Sequence, residues 1–188
     1  DEVALVTARE AGAGALELET ALPATDGLVT GTPGLALVAF FADCVPVVLA
    51  DTRRRAVGIA HAGWRGTLKL IAGKTLARMS VAFNTNPAEC VAVLGPAIGP
   101  CCYTVGGQVA EAFLPWGDGV VRRDGGVWRV DLWEANRRVL VAAGVPRGSI
   151  GVVKVCTACH PELMFSHRRD GGRTGRMAAV AAIRSREL

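Results

Sequence analysis

The sequence predicts an α+β fold in which a mixed, largely antiparallel sheet packs with helices. Three observations carry this. Short apolar runs bounded by turn residues outnumber the stretches with helical spacing. Two pairs of those runs are joined by short polar loops in the manner of hairpins. A sustained alternation of strand and helix, which a doubly wound sheet would need, is missing.

Val3 to Thr7 reads as a short strand, and Ala24-Thr25-Asp26-Gly27 and Gly31-Thr32-Pro33-Gly34 as turns. Leu35 to Ala42 is a continuous apolar run, as expected of a buried strand. Val45 to Ala50 and Ala56 to Ala60 flank the polar stretch Asp51-Thr52-Arg53-Arg54-Arg55, a hairpin pattern. Thr67 to Ala82 carries Leu68, Ile71, Leu76 and Met79 near helical spacing and stops at Asn84-Thr85-Asn86-Pro87. Cys90 to Leu94 reads as a strand and Gly107 to Phe113 as a short helix. Val120 to Arg123 and Val127 to Val130 enclose Asp124-Gly125-Gly126, a second hairpin. Asp131, with Glu134 three residues on, opens a helix that runs to Gly144. Ile150 to Val155 is a further strand, and Met177 to Ile183 is the last element.

The 188 residues are enough for one domain with its own core. The chain is 51% hydrophobic, yet no apolar run approaches the roughly 20 residues of a membrane span. A net charge of +4, with scattered arginines and few aromatics, gives no footprint for nucleic acid. Six cysteines in a chain with no visible export signal read as thiols of a reducing, cytoplasmic compartment rather than a disulfide scaffold.

The chemistry concentrates at Cys44 and His61. With Asp51 to Arg54 as the hairpin loop, Cys44 falls directly across from His61, with Cβ atoms about 4.5–5.5 Å apart on one face. Such a pair can share a zinc ion, or the imidazole can serve as base for a thiolate nucleophile. Asp43 and Pro46 restrain the backbone beside the cysteine. His61 leads into Ala62-Gly63-Trp64-Arg65-Gly66, where Arg65 beside a helix start makes an anion site.

At these residues the chain resembles the YfiH or laccase-domain family. The segments that carry the likeness are Thr25-Asp26-Gly27, Ala42-Asp43-Cys44-Val45-Pro46 and His61-Ala62-Gly63-Trp64-Arg65-Gly66. Leu94 to Tyr103, Phe165 to Asp170 and Thr174-Gly175-Arg176-Met177 continue it in order. The resemblance implies a YfiH-like, cysteine-hydrolase type of architecture spanning 1–188 as a single domain. It implies zinc, or copper in older descriptions, held by one Cys and two His, of which Cys44 and His61 match. The family's other histidine lies in a Gln-Val-His-Gly segment, and no histidine precedes His61 here. The third ligand is therefore expected upstream of Asp1, on an N-terminal segment this sequence lacks.

The implied activity is phosphorolysis of adenosine and inosine, with adenosine deamination at its side, on a small-molecule nucleoside and phosphate. Asp43 and Arg65 are the substrate-binding candidates. The alternatives are a cysteine hydrolase using a Cys44–His61 dyad, a copper polyphenol oxidase, and a silent metal- or nucleoside-binding module. The oxidase is disfavoured by a total of three histidines, at 61, 160 and 167. Cys156-Thr157-Ala158-Cys159-His160 matches a haem-attachment pattern, but covalent haem requires export. Cys101 and Cys102, adjacent in sequence, read as pocket wall, and Arg168, Arg169 and Arg176 as solvated, carboxylate-paired or pocket-lining side chains.

Overall fold

The structure, a computed structural model, describes residues 2–15 and 17–185. Its centre is a six-stranded mixed sheet in the order β1 (Glu2–Leu5), β2 (Thr25–Thr30), β5 (Ala56–Ala62), β4 (Val45–Asp51), β6 (Val91–Leu94), β10 (Ile150–Val152). The outer pairs, β1 with β2 and β6 with β10, are parallel, and the three inner pairings are antiparallel. A two-stranded ribbon pairs β3 (Ala36–Phe41) with β11 (Met177–Ala182). A small three-stranded sheet has the order β7 (Thr104–Val105), β9 (Val127–Val130), β8 (Val121–Asp124). The helices are α1 (Trp64–Leu68), α2 (Ile71–Phe83), α3 (Gly107–Phe113) and α4 (Leu132–Ala142). None of them is long and apolar enough to cross a membrane.

Alternation along the central strands sends two apolar sets to opposite faces. Val29, Val45, Val47, Leu49, Ala60 and Ala62 face α2 and α4 in the larger core, with Ile71, Leu76, Met79 and Leu140 buried against them. Each such large side chain contributes about 1.5–3 kcal/mol by leaving water. Ile59, with Leu28, Val48 and Val57, meets Leu37 and Ala39 of the ribbon on the other face.

Two glycines set how closely α2 approaches the sheet. A Cβ on Gly58 would lie 3.0 Å from Met79 Sδ and Thr75 Cγ2, and one on Gly27 would lie 2.7 Å from Thr75 Oγ1. This corrects the expectation of a turn at 24–27. The strand starts at Thr25, and its glycine is needed because a helix lies on it. Local turn chemistry could not reveal a contact with a helix some fifty residues away.

Other expectations shift for equally local reasons. The expected helix at 67–82 is two helices, starting at Trp64 and broken at Leu70, which takes a left-handed conformation (φ 60). The expected strand at 150–155 ends at Val152. Leu35 to Ala42 is not a buried strand, because β3 sits in an outer ribbon. Its odd positions Leu37 and Phe41 are buried, while Val38 and Phe40 are exposed. The second hairpin forms as expected, closed by Gly125 and Gly126 at φ 55 and 84, the primed-turn geometry that glycine favours. Asp131 caps α4 by accepting from Glu134 N at 2.9 Å. The Glu134 side chain turns instead to Arg137 and Arg138, whose charged hydrogen bonds hold its carboxyl down at about 2.

Candidate active site around Cys44 and His61

The first hairpin forms with a different register from the expected one. Asp51 pairs with Ala56, so the loop is Thr52 to Arg55, and His61 pairs with Pro46. The Asp51 carboxylate accepts from the backbone amides of Arg53 and Arg54 at 3.0 Å, and Arg55 takes φ 52. Those interactions place the turn one residue later than composition suggested. Cys44 is therefore not directly across from His61; it falls opposite Gly63. A Cβ on Gly63 would lie 2.9 Å from Cys44 Sγ, so glycine there makes room for the thiol. The slip of two residues preserves the face, and Cys44 and His61 are diagonal neighbours, a spacing long side chains can span.

The two groups share their electrostatic surroundings. Burial pushes the Cys44 thiol up to about 11, with Asp43 and Asp26 adding to the rise and Arg176 opposing it. Burial lowers His61 below 6.5, with Asp26 working against that shift and Arg176 with it. The His61 ring packs on Phe41 at 4.8 Å between centroids, tilted by 30°. Without a metal the pair is a thiol and a neutral imidazole, the opposite of the thiolate–imidazolium pair of a cysteine hydrolase. In metal-free protein, alkylation of Cys44 by iodoacetamide should be slow at pH 7. It should rise about tenfold per pH unit toward about 11. Peptide mass spectrometry between pH 7 and 9 measures this; a rate already at its plateau at pH 7 would mean that the thiol is ionised.

Asp43 is where the chain turns from the ribbon into the central sheet. It is 8% exposed at φ 88, a conformation that non-glycine residues rarely adopt. Both carboxylate oxygens are taken. Thr157 Oγ1 donates to one at 2.6 Å and Arg168 N to the other at 2.7 Å, while Asp43 O accepts from Ile98 N at 2.9 Å. Asp43 thus ties three distant loops behind Cys44. Arg65 lies in α1, exposed, with its guanidinium 4.3 Å from the Trp64 ring centroid. Tyr103, raised to about 12 mainly by burial, also feels Arg168, Cys44, Asp43 and Arg65, which places these groups in one neighbourhood. Arg168 stacks over Tyr103 at 5.1 Å and donates to Thr104 O at 2.6 Å. Arg169 is paired, with Asp170 at 2.7 Å. Asn136 is buried in the core and donates to Thr67 Oγ1 and Leu132 O, both at 2.9 Å.

His61 and Asp26 line a cavity of about 510 Å³ between the central sheet and the ribbon, walled by Val6, Leu28, Leu37 and Phe40. Its size suits a small metabolite. Tyr103, Asp26 and Thr157 were not singled out from sequence as site residues, and Arg176 was read as solvated, carboxylate-paired or pocket-lining. Tyr103, Asp26 and Arg176 stand in segments that carried the resemblance, and Thr157 does not.

The donors offered by Cys44 and His61 suit zinc, but a catalytic zinc takes three protein ligands. Among the described residues no third donor joins them. The one group of three or more His, Cys, Asp or Glu that converges closely enough to hold an ion among the described residues is the cluster Cys101, Cys102, Cys156 and Cys159. His160 bonds Glu162 at 3.2 Å and His167 lies exposed, so neither completes the pair.

A mixed sheet with helices on one face, and a thiol–imidazole pair with a cavity on the other, defines a YfiH-like α+β protein. The crystal structure of the hypothetical protein YfiH of Bacillus licheniformis matches it with a TM-score of 0.92 at 45% identity, covering 98% of this chain and 71% of that one. The chain belongs to the family described as multi-copper polyphenol oxidoreductase laccase, matched over residues 1–184. The purine nucleoside phosphorylase YlmD of Geobacillus stearothermophilus is 43% identical over 192 residues, which take in 97% of this chain and 69% of that protein. The adenosine deaminase RL5, of an unknown prokaryotic organism, is 41% identical over 165 residues, covering 85% of this chain and 63% of that protein.

Proposed function

We propose that this chain carries the active site of a zinc-dependent purine nucleoside phosphorylase acting on adenosine and inosine, with adenosine deamination as a side activity. The observation that carries the reading is His61 lining the cavity, with Cys44 its diagonal neighbour just before the paired strand, in a chain 43% identical to a protein named for that activity. The nucleoside occupies the cavity against Asp26 and His61. Arg65 meets the phosphate, whose attack on the ribose anomeric carbon releases the purine. Asp43 acts by holding the backbone that presents Cys44.

Cys44 and His61 supply two ligands, and the third is a histidine upstream of Asp1, outside the described residues. Zinc bound there would act as a Lewis acid, orienting the nucleoside or lowering the pKa of a water for deamination. Zinc is favoured over a multi-copper centre because the three histidines do not converge among the described residues. Copper remains the alternative ion for the Cys44–His61 site. The dyad hydrolase reading loses support from a thiol pushed up and an imidazole pushed down. Six free thiols fit a cytoplasmic setting.

The test is incubation of the full-length protein with inosine or adenosine, with and without inorganic phosphate. Free purine should form only with phosphate, matched mole for mole by ribose 1-phosphate, and ammonia from adenosine reports deamination. Purine release that ignores phosphate, or no release at all, overturns the reading.

A further inference from the structure

The parallel pairing of β6 with β10 brings the turns that follow these two strands side by side. Ala97 bridges Cys156 in parallel, Ala97 N donates to Val155 O at 3.3 Å, and Thr157 N donates to Ala97 O at 3.0 Å. Cys101 and Cys102 sit on one turn, and Cys156 and Cys159 on the other. Cys102 Sγ is 3.4 Å and Cys101 Sγ 3.7 Å from Cys159 Sγ, and all four sulfurs lie within 4.8 Å of one another. A tetrahedron of sulfurs at about 2.3 Å from a central zinc has edges of about 3.8 Å. Two of the separations are close to that edge, and none exceeds it by more than about 1 Å, a difference small side-chain rotations can close. They are separate from Cys44 and His61, and the proposed nucleoside chemistry does not use them.

We propose that Cys101, Cys102, Cys156 and Cys159 form a second, structural zinc site that clasps the turn after β6 to the turn after β10.

The surroundings suit such a site. Gly99 N donates to Cys156 Sγ at 3.2 Å, the amide-to-sulfur contact that orients a ligating cysteine. A Cβ on Gly99 would lie 3.2 Å from Cys101 Sγ and 3.3 Å from Cys156 Cβ, so glycine leaves the space where the sulfurs gather. Cys156-x-x-Cys159 has the ligand spacing of zinc sites. Cys101 and Cys159 are exposed, giving the ion a way in, and Cys156 is buried. Zinc entry displaces the thiol protons to solvent, leaving four thiolates around one ion. The resulting complex carries two negative charges near two guanidinium groups, each of which also pairs with a carboxylate, Arg129 with Asp124 at 3.2 Å and Arg169 with Asp170 at 2.7 Å. Arg129 donates to Cys101 O at 2.5 Å, and Arg169 donates to Thr157 O at 3.1 Å. Thr157, between the two cysteines of the second turn, is the residue that holds Asp43. The clasp therefore positions the backbone behind Cys44 without touching substrate. Because the ion is saturated by four thiolates, it has no open position for chemistry.

The test uses metal-free, reduced protein with Cys44→Ala, so that the other site cannot contribute. Titrated with Co²⁺, this variant should bind one ion per chain with the near-ultraviolet absorbance of about four thiolates, displaced by one Zn²⁺. Cys101→Ser and Cys159→Ser should each weaken binding at least about tenfold. Should those variants fail to fold, the wild type decides. Zinc should protect all four cysteines from N-ethylmaleimide and slow hydrogen exchange at the Arg168 amide. The proposal falls if no thiolate–cobalt absorbance develops in the Cys44→Ala protein, or if zinc leaves alkylation of the four unchanged. It also falls if anaerobically purified protein carries them as disulfides. None of these readouts depends on nucleoside turnover.

Discussion

Changing Cys44 to alanine should lower kcat/KM for inosine phosphorolysis by at least about a hundredfold while leaving the fold intact. Loss of a group that only orients a metal ligand costs about 10–100-fold, and loss of the ligand itself costs more. The structural penalty should be small. Cys44 is only partly buried, lies outside the regular strand, and its sulfur occupies space left open by Gly63. His61→Ala should match it in activity, with a larger stability cost from the lost packing on Phe41. Steady-state kinetics, with circular dichroism and zinc content on the same preparations, measures this. One zinc should remain in the Cys44→Ala protein if the cysteine clasp is filled. Near-wild-type turnover by either variant would remove that residue from the mechanism.

Asp43→Ala should be the more damaging change to the fold. It leaves the Thr157 hydroxyl, fully buried, and the Arg168 amide without their acceptor. An orphaned buried donor costs about 1–3 kcal/mol, and the amide of the exposed Arg168 adds less because water can reach it, so the two together should cost about 2–4 kcal/mol. For a chain of this size the melting temperature should fall by about 5–15 °C. Asp43→Asn keeps an acceptor for one donor but turns an amide N–H toward the other, and its cost should lie in between. Thermal denaturation of the three proteins decides. Equal melting temperatures would show that these bonds contribute nothing net. A large loss of activity without loss of stability would place Asp43 in contact with substrate, as the sequence suggested.

Several features of the fold were legible because their causes lie within a few residues. The Asp124-Gly125-Gly126 turn, α3, the Asp131 cap of α4 and its stop at Gly144 all depend on backbone preferences and side chains close in sequence. The Cys44–His61 neighbourhood was visible for a related reason, since a hairpin brings its own two strands together. Its register was not visible. A slip of two keeps every side chain on its own face, so the hydrophobic pattern is satisfied either way. The choice fell to the Asp51 carboxylate and the left-handed Arg55.

By itself, the sequence determined the fold class, the family and most of the strands and helices, though not β2 or β7, because periodicity and turn chemistry act locally and the motif segments are distinctive. Tertiary structure decided the rest. Asp43 became a tie between loops because Thr157 and Arg168, more than a hundred positions away, arrive with donors. Gly27 became part of a strand because α2 lies on it. Cys102 and Cys159, 57 positions apart, meet because β6 and β10 are parallel neighbours. Strand order in a sheet is set by the packing of the whole chain rather than by any local segment. A cysteine pattern that read as pocket wall and stray motif thereby became four sulfurs around one point.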